Sequence, residues 1–179
     1  QLYHEAKNRS TDINEHLPVL MAYACESSHI TELGVRSGES SLAFLFACLY
    51  AKGRRALRSY DIVPDWTAAA NFAKARKDGA DAQYIIGDSL KIEIEETDLL
   101  FIDTKHSFDQ LRDELKRHAG KVRKWIILHD TYTYGLKTGE DDKGLLSAVI
   151  GFLIDNPQWK FHAYFTNNNG LTILKRTSL

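Results

Sequence analysis

Short apolar runs alternate with amphipathic segments from residue 29 onward, and this alternation constrains the fold more than any other feature. Four segments between the runs have helical periodicity: 41–52, 65–79, 107–120 and 144–156. Parallel neighbouring strands need such long crossovers, whereas the tight connection TNNNG (166–170) permits an antiparallel hairpin. The pattern predicts a doubly wound, mostly parallel, seven-stranded α/β sheet of Rossmann type with a C-terminal antiparallel hairpin. The predicted strands are HITELG, RALRSYDI, AQYIIG, TDLLFID, KWIILHD, WKFHAYF and LTILKR.

The chain length favours one domain spanning residues 1–179, because 179 residues with 44% hydrophobic composition suit a single core. Residues 1–28 form a helical leader to this domain. Within it the spacing of apolar residues predicts a helix over 12–27, with Asp12 as its N-cap and a kink at Pro18. Cys25 and Cys48 fall in apolar runs, and we expect two buried thiols rather than a disulfide.

The charge balance argues against nucleic-acid and membrane partners. With 23 basic and 24 acidic residues the net charge is −1, which provides no electrostatic footprint for polyanions. No run approaches the roughly 20 apolar residues that cross a bilayer, and the start lacks an export signal. We therefore expect a cytoplasmic protein that binds a small molecule, with homo-oligomer formation left open.

Acidic residues close five of the predicted strands. In open α/β sheets ligands bind outside the carboxyl ends of the strands, so these side chains share the edge where a site is expected. A single acid after a strand often caps the next helix, but five at one edge indicate function. They are Glu32, Asp61, Asp88, Asp103 and Asp130.

The segment ITELGVRSGESS (30–41) is the candidate nucleotide-binding turn. It fits neither the dinucleotide fingerprint nor the P-loop, because its glycine spacing is wrong and Gly38 is followed by Glu39 instead of lysine. Glu32 and Glu39 would also repel a pyrophosphate. A cationic nucleoside without phosphate fits better, and S-adenosylmethionine is such a ligand. Asp61 is placed to accept hydrogen bonds from its ribose hydroxyls.

ELGVRSGES, followed by SYD, GDS, DLLFIDTKHSFDQL and IILHDT, resembles the class I S-adenosylmethionine-dependent methyltransferases. The similarity is greatest to the small branch with cephalosporin hydroxylase-like and sugar O-methyltransferase proteins. It implies that Glu32, Gly34 and Gly38 face the methionine and ribose, that Asp88 and Ser89 lie near the adenine, and that Asp103 lies beside the reactive methyl. The cofactor-binding residues so implied are Glu32, Gly34, Arg36, Gly38, Ser40, Asp61, Ile62, Asp88, Ser89 and Asp103.

A divalent metal site is a further implication of the resemblance. Related catechol-type O-methyltransferases hold an ion with acids after the fourth and fifth strands, where this chain has Asp103, His129 and Asp130. Two carboxylates suit Mg²⁺, whereas a set that includes imidazole favours Mn²⁺, iron or zinc. Thr131 replaces the asparagine ligand of the catechol type, which leaves the metal open. The alternative for His129 is a strand-end imidazole that is hydrogen-bonded to a neighbouring loop.

The candidate catalytic residues follow the fourth strand. Methyl transfer to a hydroxyl needs a group that takes the acceptor's proton, and His106 is suited by its ordinary pKa near 6.5. Lys105 is a rival, either as the base or as a charge that steadies an oxyanion, and Asp103 completes the catalytic set. The alternative for His106 is a helix-capping or structural role. The polar loop 135–144 would overhang the acceptor pocket as a lid or be a solvated connection.

The leading prediction is O-methylation of a small polar acceptor, such as a sugar or a secondary metabolite. N-methylation, an iron-dependent hydroxylation of the cephalosporin hydroxylase kind, and a non-catalytic cofactor-binding subunit are the alternatives. An NAD-dependent oxidoreductase fails on the glycine spacing and on Glu32.

Overall fold

A computed structural model describes residues 1–137 and 143–177 of the chain. Its seven strands are β1 (His29–Leu33), β2 (Ala56–Asp61), β3 (Asp81–Ile86), β4 (Thr97–Ile102), β5 (Val122–His129), β6 (Trp159–Phe165) and β7 (Leu171–Arg176). Its α-helices are α1 (Leu2–Asn8), α2 (Leu17–Cys25), α3 (Glu39–Tyr50), α4 (Trp66–Lys77), α5 (Phe108–His118) and α6 (Leu145–Asp155).

The strands form one sheet in the order β3-β2-β1-β4-β5-β7-β6. Strands β1 to β5 pair in parallel, and β7 pairs antiparallel with both β5 and β6. The predicted doubly wound sheet with a C-terminal hairpin is therefore confirmed. The chain moves outward from β1 to β3 and then returns to β4 on the other side of β1, so the β1/β4 boundary is the topological switch point.

Helices cover both faces of the sheet. One hydrophobic core packs helices α1 to α4 against one face of the sheet, around Phe44, Phe72 and Phe101. A second hydrophobic core packs α5 and α6 against the opposite face, around Trp159. Strand β4 is buried along its whole length because it lies centrally and is covered on both sides. Asp65 and Ser107 cap α4 and α5 by accepting backbone N–H bonds.

The leader differs from the prediction of one helix over 12–27. Helix α1 comes first, a 3₁₀ turn spans Asn14–His16, and α2 begins only at Leu17. Pro18 lies in the first turn of α2, where its missing N–H leaves no helical bond unmade. Asp12 caps no helix, because its carboxylate pairs with the Arg36 guanidinium, at 3.0 Å.

The two cysteines differ in their exposure. Cys25 is exposed at the end of α2, so the expectation of a buried thiol is wrong for this residue. The same expectation holds for Cys48, which is largely covered.

Within the described part of the chain, none of the helices has the length and apolar character that a bilayer crossing requires. Residues 138–142 of the polar loop 135–144 lie outside the described residues.

The side chain of Asp98, in β4, connects the residue before β1 to β5. Its buried carboxylate accepts hydrogen bonds from Ser28 N at 2.7 Å, Ser28 Oγ at 2.6 Å and Arg123 Nε at 3.0 Å. Burial alone would raise the pKa of Asp98, but the bonds from Ser28 and the charges of Lys124 and Arg123 lower it to about 2. The ionised carboxylate is therefore the form that stabilises the fold.

We expect Asp98→Asn to lower the unfolding free energy by about 2–4 kcal/mol at pH 7, because the amide cannot replace a charged acceptor of three bonds. The folded-state pKa is depressed, so this contribution is complete above about pH 4 and is lost as the pH falls toward 2. Urea unfolding at pH 7 and pH 3 measures the difference, which should shrink at pH 3. The exposed Asp155→Asn is the control, expected within about 0.5 kcal/mol of wild type. Equal stability of Asp98→Asn and wild type at pH 7 would contradict this role.

Candidate active site

The glycine loop after β1 meets the end of β4 at the switch point. Gly34 has a left-handed φ of +86°, and a Cβ built on it would lie 1.9 Å from the Asp103 carbonyl oxygen. No side chain fits in that space, which explains glycine at this position. The contact holds the loop against the end of β4, next to Asp103.

Asp61, at the end of β2, holds the same loop from the other side. Its Oδ2 accepts from Val35 N and Arg36 N, each at 2.8 Å, and its Oδ1 accepts from Val63 N at 3.0 Å. Arg36 is left-handed at φ +50°, a conformation that the two bonds to Asp61 help to hold. Asp61 therefore stands beside the loop, as the strand-end position predicted.

Glu32 lies beneath the loop and is fully buried. Its carboxylate accepts hydrogen bonds from three serine hydroxyls: Ser40 at 2.6 Å, Ser41 at 2.7 Å and Ser59 at 2.5 Å. Burial raises the pKa of Glu32 to about 7 against the lowering effect of these bonds. The direct cofactor contact expected of Glu32 and Ser40 would require these bonds to open, so in this structure they support the loop from below.

Ile62, predicted to bind the cofactor, and Asp88 and Ser89, predicted to lie near the adenine, differ in their exposure and partners. Ile62 is largely exposed after Asp61, and Asp88 pairs with Lys91 at 2.9 Å. The Ser89 hydroxyl instead donates to the buried Glu114 at 2.6 Å. Gln110 and Thr104 donate to the same carboxylate, so Ser89 belongs to a buried polar network that joins the loops after β3 and β4.

Asp103, His129 and Asp130 converge after β4 and β5, as the sequence indicated, and one ligand atom from each lies within 4.8 Å of the others. His129 Nδ1 is 3.3 Å from Asp103 Oδ1 and 3.3 Å from Asp130 Oδ2. Asp130 is buried, has a left-handed φ of +62°, and its Oδ1 has no hydrogen-bond partner within the described structure. A buried carboxylate oxygen without a partner is costly unless a cation or proton reaches it.

The imidazoles and carboxylates of this cluster stabilise one another in their charged forms. Burial lowers the pKa of His129, but its hydrogen bonds to Asp103 and Asp130 outweigh burial and raise it to about 10. Burial would raise the pKa of Asp130, yet hydrogen bonds from His106 and His129 hold it well below its ordinary value. The cluster therefore needs positive charge among its carboxylates, which either a proton or a metal ion supplies. Thr131 is directed elsewhere, because its hydroxyl bonds to Thr172 at 2.8 Å.

His106 adjoins the cluster from the loop after β4. Its Nε2 is 2.5 Å from Asp130 Oδ2, and its ring stacks on Tyr134 with centroids 4.3 Å apart. The hydrogen bond to Asp130 raises the pKa of His106, so the expectation of an ordinary value near 6.5 is wrong. Ser107, not His106, caps α5, which removes the capping alternative.

A cavity of about 10 Å³ lies among Asp103, Lys105, His106 and His129, which is room for a single water or ion. Two wider grooves, of about 610 Å³ between α5 and α6 and about 580 Å³ near the start of β2, lie away from this edge. We place the site at the smaller cavity because the buried acids and imidazoles converge there, and size alone does not identify a site.

The sequence did not reveal several contacts that build the site. Ser41, Ser59 and Glu114 carried no recognisable signal, because a polar residue in an apolar run does not show its partner. The alternative for His129, a hydrogen bond from its strand-end imidazole to a neighbouring loop, is present in the structure, because His129 Nε2 lies 3.0 Å from the Asn168 carbonyl of the turn Asn167–Gly170. The salt bridge between Asp12 and Arg36 joins the leader to the glycine loop.

Sequence comparisons give no relative: no family profile and no curated protein matches the chain. Solved structures match its fold. The O-methyltransferase TomG from Streptomyces achromogenes, in complex with SAM, is 13% identical with a TM-score of 0.72, over 99% of this chain and 90% of that one. The SAH-bound methyltransferase PaMTH1 of Podospora anserina is 18% identical with a TM-score of 0.70, over 99% of this chain and 86% of that one.

The N-methyltransferase NodS from Bradyrhizobium japonicum, in complex with S-adenosyl-L-homocysteine, is 13% identical with a TM-score of 0.65, over 96% of this chain and 90% of that one. Likenesses at this identity establish the fold. The chain therefore has the class I S-adenosylmethionine-dependent methyltransferase fold, as the resemblance in its motifs implied.

We expect Gly34→Ala to destabilise the protein by more than about 3 kcal/mol or to prevent folding, because its Cβ cannot coexist with the Asp103 carbonyl. Gly53→Ala is the matched control, since Gly53 is also left-handed, at φ +89°, but has open space around it. Its cost should be the left-handed penalty alone, about 1–2 kcal/mol. Urea unfolding of both variants separates the clash from the backbone penalty, and equal losses would contradict the proposed close contact.

Proposed function

We propose that the protein is an S-adenosylmethionine-dependent methyltransferase that methylates a hydroxyl of a small polar acceptor, such as a sugar or a secondary metabolite. One observation carries the proposal: the acid-lined glycine loop at the β1/β4 switch point adjoins a buried acid–histidine cluster at the same sheet edge. Three structures with the same fold contain SAM or SAH, and their sequences are 13–18% identical to this chain. They support the choice of cofactor. The protein acts in the cytoplasm without nucleic-acid or membrane partners.

The proposed cofactor site follows from the charges at this edge. S-adenosylmethionine supplies an electrophilic methyl group on a sulfonium. The tight approach of Gly34 to Asp103 holds the glycine loop against the end of β4, at the edge of the sheet where the cofactor would bind. Asp61 and Asp103 place negative charge on both sides of the loop, which favours a cation and disfavours a phosphate. Asp61 takes the ribose hydroxyls in this proposal, and Ile62 covers the adenine side.

His106 is the proposed general base. A neutral imidazole that donates from Nε2 to Asp130 leaves Nδ1 to accept a proton, and the carboxylate steadies the imidazolium that results. The acceptor hydroxyl would thus lose its proton to Nδ1 as its oxygen attacks the methyl carbon. Stacking on Tyr134 fixes the plane of the ring. Lys105, which lines the same small cavity, would steady the developing oxyanion.

The cluster of Asp103, His129 and Asp130 fits a divalent metal. The observation in favour is the buried Asp130 Oδ1, which has no partner among the described residues. Two carboxylates and an imidazole suit Mn²⁺ better than Mg²⁺. Such an ion would draw the acceptor oxygen toward the cluster and favour its ionised form.

An iron-dependent hydroxylase is the second candidate function. His106 and His129 both approach Asp130, and two histidines with one carboxylate are the ligand set of non-haem iron oxygenases. Dependence of turnover on iron and 2-oxoglutarate, without any requirement for S-adenosylmethionine, would identify it. N-methylation remains the alternative within the methyltransferase proposal, since NodS shares the fold.

Asp61→Asn is expected to weaken SAH binding about 10- to 100-fold, because it removes a charged acceptor worth about 1.5–3 kcal/mol. Isothermal titration calorimetry measures the affinity. Asp81→Asn, at the opposite end of the neighbouring strand β3, is the control and should bind as wild type does. Unchanged affinity of Asp61→Asn would remove Asp61 from the ribose site.

His106→Gln should reduce turnover by about 10²–10⁴-fold and leave SAH affinity near normal, because only proton removal is lost. Transfer of a labelled methyl group to a panel of hydroxyl and amine acceptors measures turnover. His162→Gln, on the exposed strand β6, is the matched control and should retain full activity. A His106→Gln rate equal to that of wild type would exclude this residue as the base.

A further inference from the structure

The turn Asn167–Gly170, which joins β6 to β7, reaches the proposed metal cluster. The Asn168 carbonyl oxygen lies 3.0 Å from His129 Nε2. A carbonyl only accepts hydrogen bonds, so Nε2 of His129 carries the proton. This bond directs Nδ1 toward Asp103 Oδ1 and Asp130 Oδ2, each 3.3 Å away.

The same turn holds the backbone that follows Asp130. The Asn169 carbonyl accepts from Tyr132 N and Thr133 N, each at 2.9 Å. Gly170 packs so closely that a Cβ on it would lie 2.3 Å from Tyr132 N. The turn therefore anchors the segment next to Asp130 while its neighbouring carbonyl holds His129.

The leader contacts the turn at its left-handed residues. Asn168, Asn169 and Gly170 have left-handed φ values of +42°, +65° and +98°. Asparagine and glycine tolerate this region, and contacts from the surroundings help to hold it. The leader supplies contacts: Glu15 N donates to Asn168 Oδ1 at 2.7 Å, and His16 Nε2 lies 2.9 Å from the Asn167 carbonyl.

His16 is the buried member of this leader contact. It is 1% exposed, and its ring lies edge-on to that of His129 with centroids 5.8 Å apart. Its Nε2 donates to a carbonyl, as that of His129 does, so the two imidazoles hold successive carbonyls of one turn. The leader is thus bonded to the turn that orients a proposed metal ligand.

We propose that His16 is a positioning residue for the metal cluster and acts through the Asn167–Gly170 turn on His129. By holding the Asn167 carbonyl it keeps the Asn168 carbonyl on His129 Nε2, which retains the proton on Nε2 and directs Nδ1 toward the carboxylates as the nitrogen that a metal would take. This inference rests on the proposed metal site. A group hydrogen-bonded directly to a metal-binding histidine typically changes metal affinity about 10- to 100-fold when it is removed, and His16 acts one bond further back, through the turn, so we expect an effect at the low end of that range.

Titration of Mn²⁺ into protein treated with EDTA and then freed of it tests the proposal. We expect His16→Leu to weaken Mn²⁺ binding about tenfold, the low end of the range for a direct partner of a metal-binding histidine. His16→Gln, whose amide can still donate to the Asn167 carbonyl, should stay within about threefold of wild type. The matched control is His118→Leu, because His118 is also 1% exposed and bonds through Nε2 to a carbonyl, that of Ser89 at 2.7 Å. It should lower Tm as His16→Leu does and leave Mn²⁺ affinity unchanged.

A second readout needs no metal. In the metal-free protein, ¹⁵N NMR of labelled histidines should show a protonated Nε2 on His129 with slow proton exchange, and His16→Leu should speed that exchange about tenfold or more. Unchanged exchange and unchanged Mn²⁺ affinity in a folded His16→Leu variant would overturn the positioning role. Failure of the wild type to bind Mn²⁺ would overturn the metal site and this inference with it. Failure to bind SAH while Mn²⁺ binding responds to His16→Leu would overturn only the methyltransferase proposal.

Discussion

The close contact between Gly34 and the Asp103 carbonyl is the constraint on which the rest of the site depends. It joins the ends of β1 and β4 at the point where the sheet changes direction, and it admits no side chain. The loop that follows can then donate two backbone N–H hydrogen bonds to Asp61. It also sets the start of α3, where the Ser40 hydroxyl donates to Glu32. A shift at Gly34 would thus move the loop, α3 and the acid of β4 together.

The site concentrates negative charge and balances it in different ways. Glu32 is deep, and three hydroxyls with no charge of their own surround it, so burial raises its pKa toward neutrality. Asp130 is also buried, but two imidazoles hold it ionised. One carboxylate is therefore suited to support the loop and the other to attract a cation. This division agrees with a ligand whose positive charge lies at the methyl-bearing sulfur and with a metal ion beside it.

Local patterns predicted the sheet well, because strand periodicity and turn residues act over short distances. Strands β6 and β7 match the predicted runs residue for residue. The prediction of one leader helix was wrong because Pro18, expected to kink a helix, instead lies in the first turn of α2, and because the predicted cap Asp12 pairs with Arg36, a long-range partner that no local signal contains. Strand ends located Glu32, Asp61, Asp103 and Asp130, but the sequence could not tell which carboxylate turns inward. That choice depends on Ser40, Ser41 and Ser59 for Glu32, and on His106 for Asp130.

This edge of the sheet is proposed to bind the adenosyl and amino-acid parts of S-adenosylmethionine rather than a dinucleotide phosphate. Isothermal titration calorimetry of the wild-type protein with S-adenosylhomocysteine, and separately with NAD, tests it most directly. We expect saturable one-to-one binding of S-adenosylhomocysteine. With NAD we expect no heat beyond the heat of dilution. Binding of NAD without binding of S-adenosylhomocysteine would contradict the account of the glycine loop, and with it the assignment of His106 as the base of a methyl transfer.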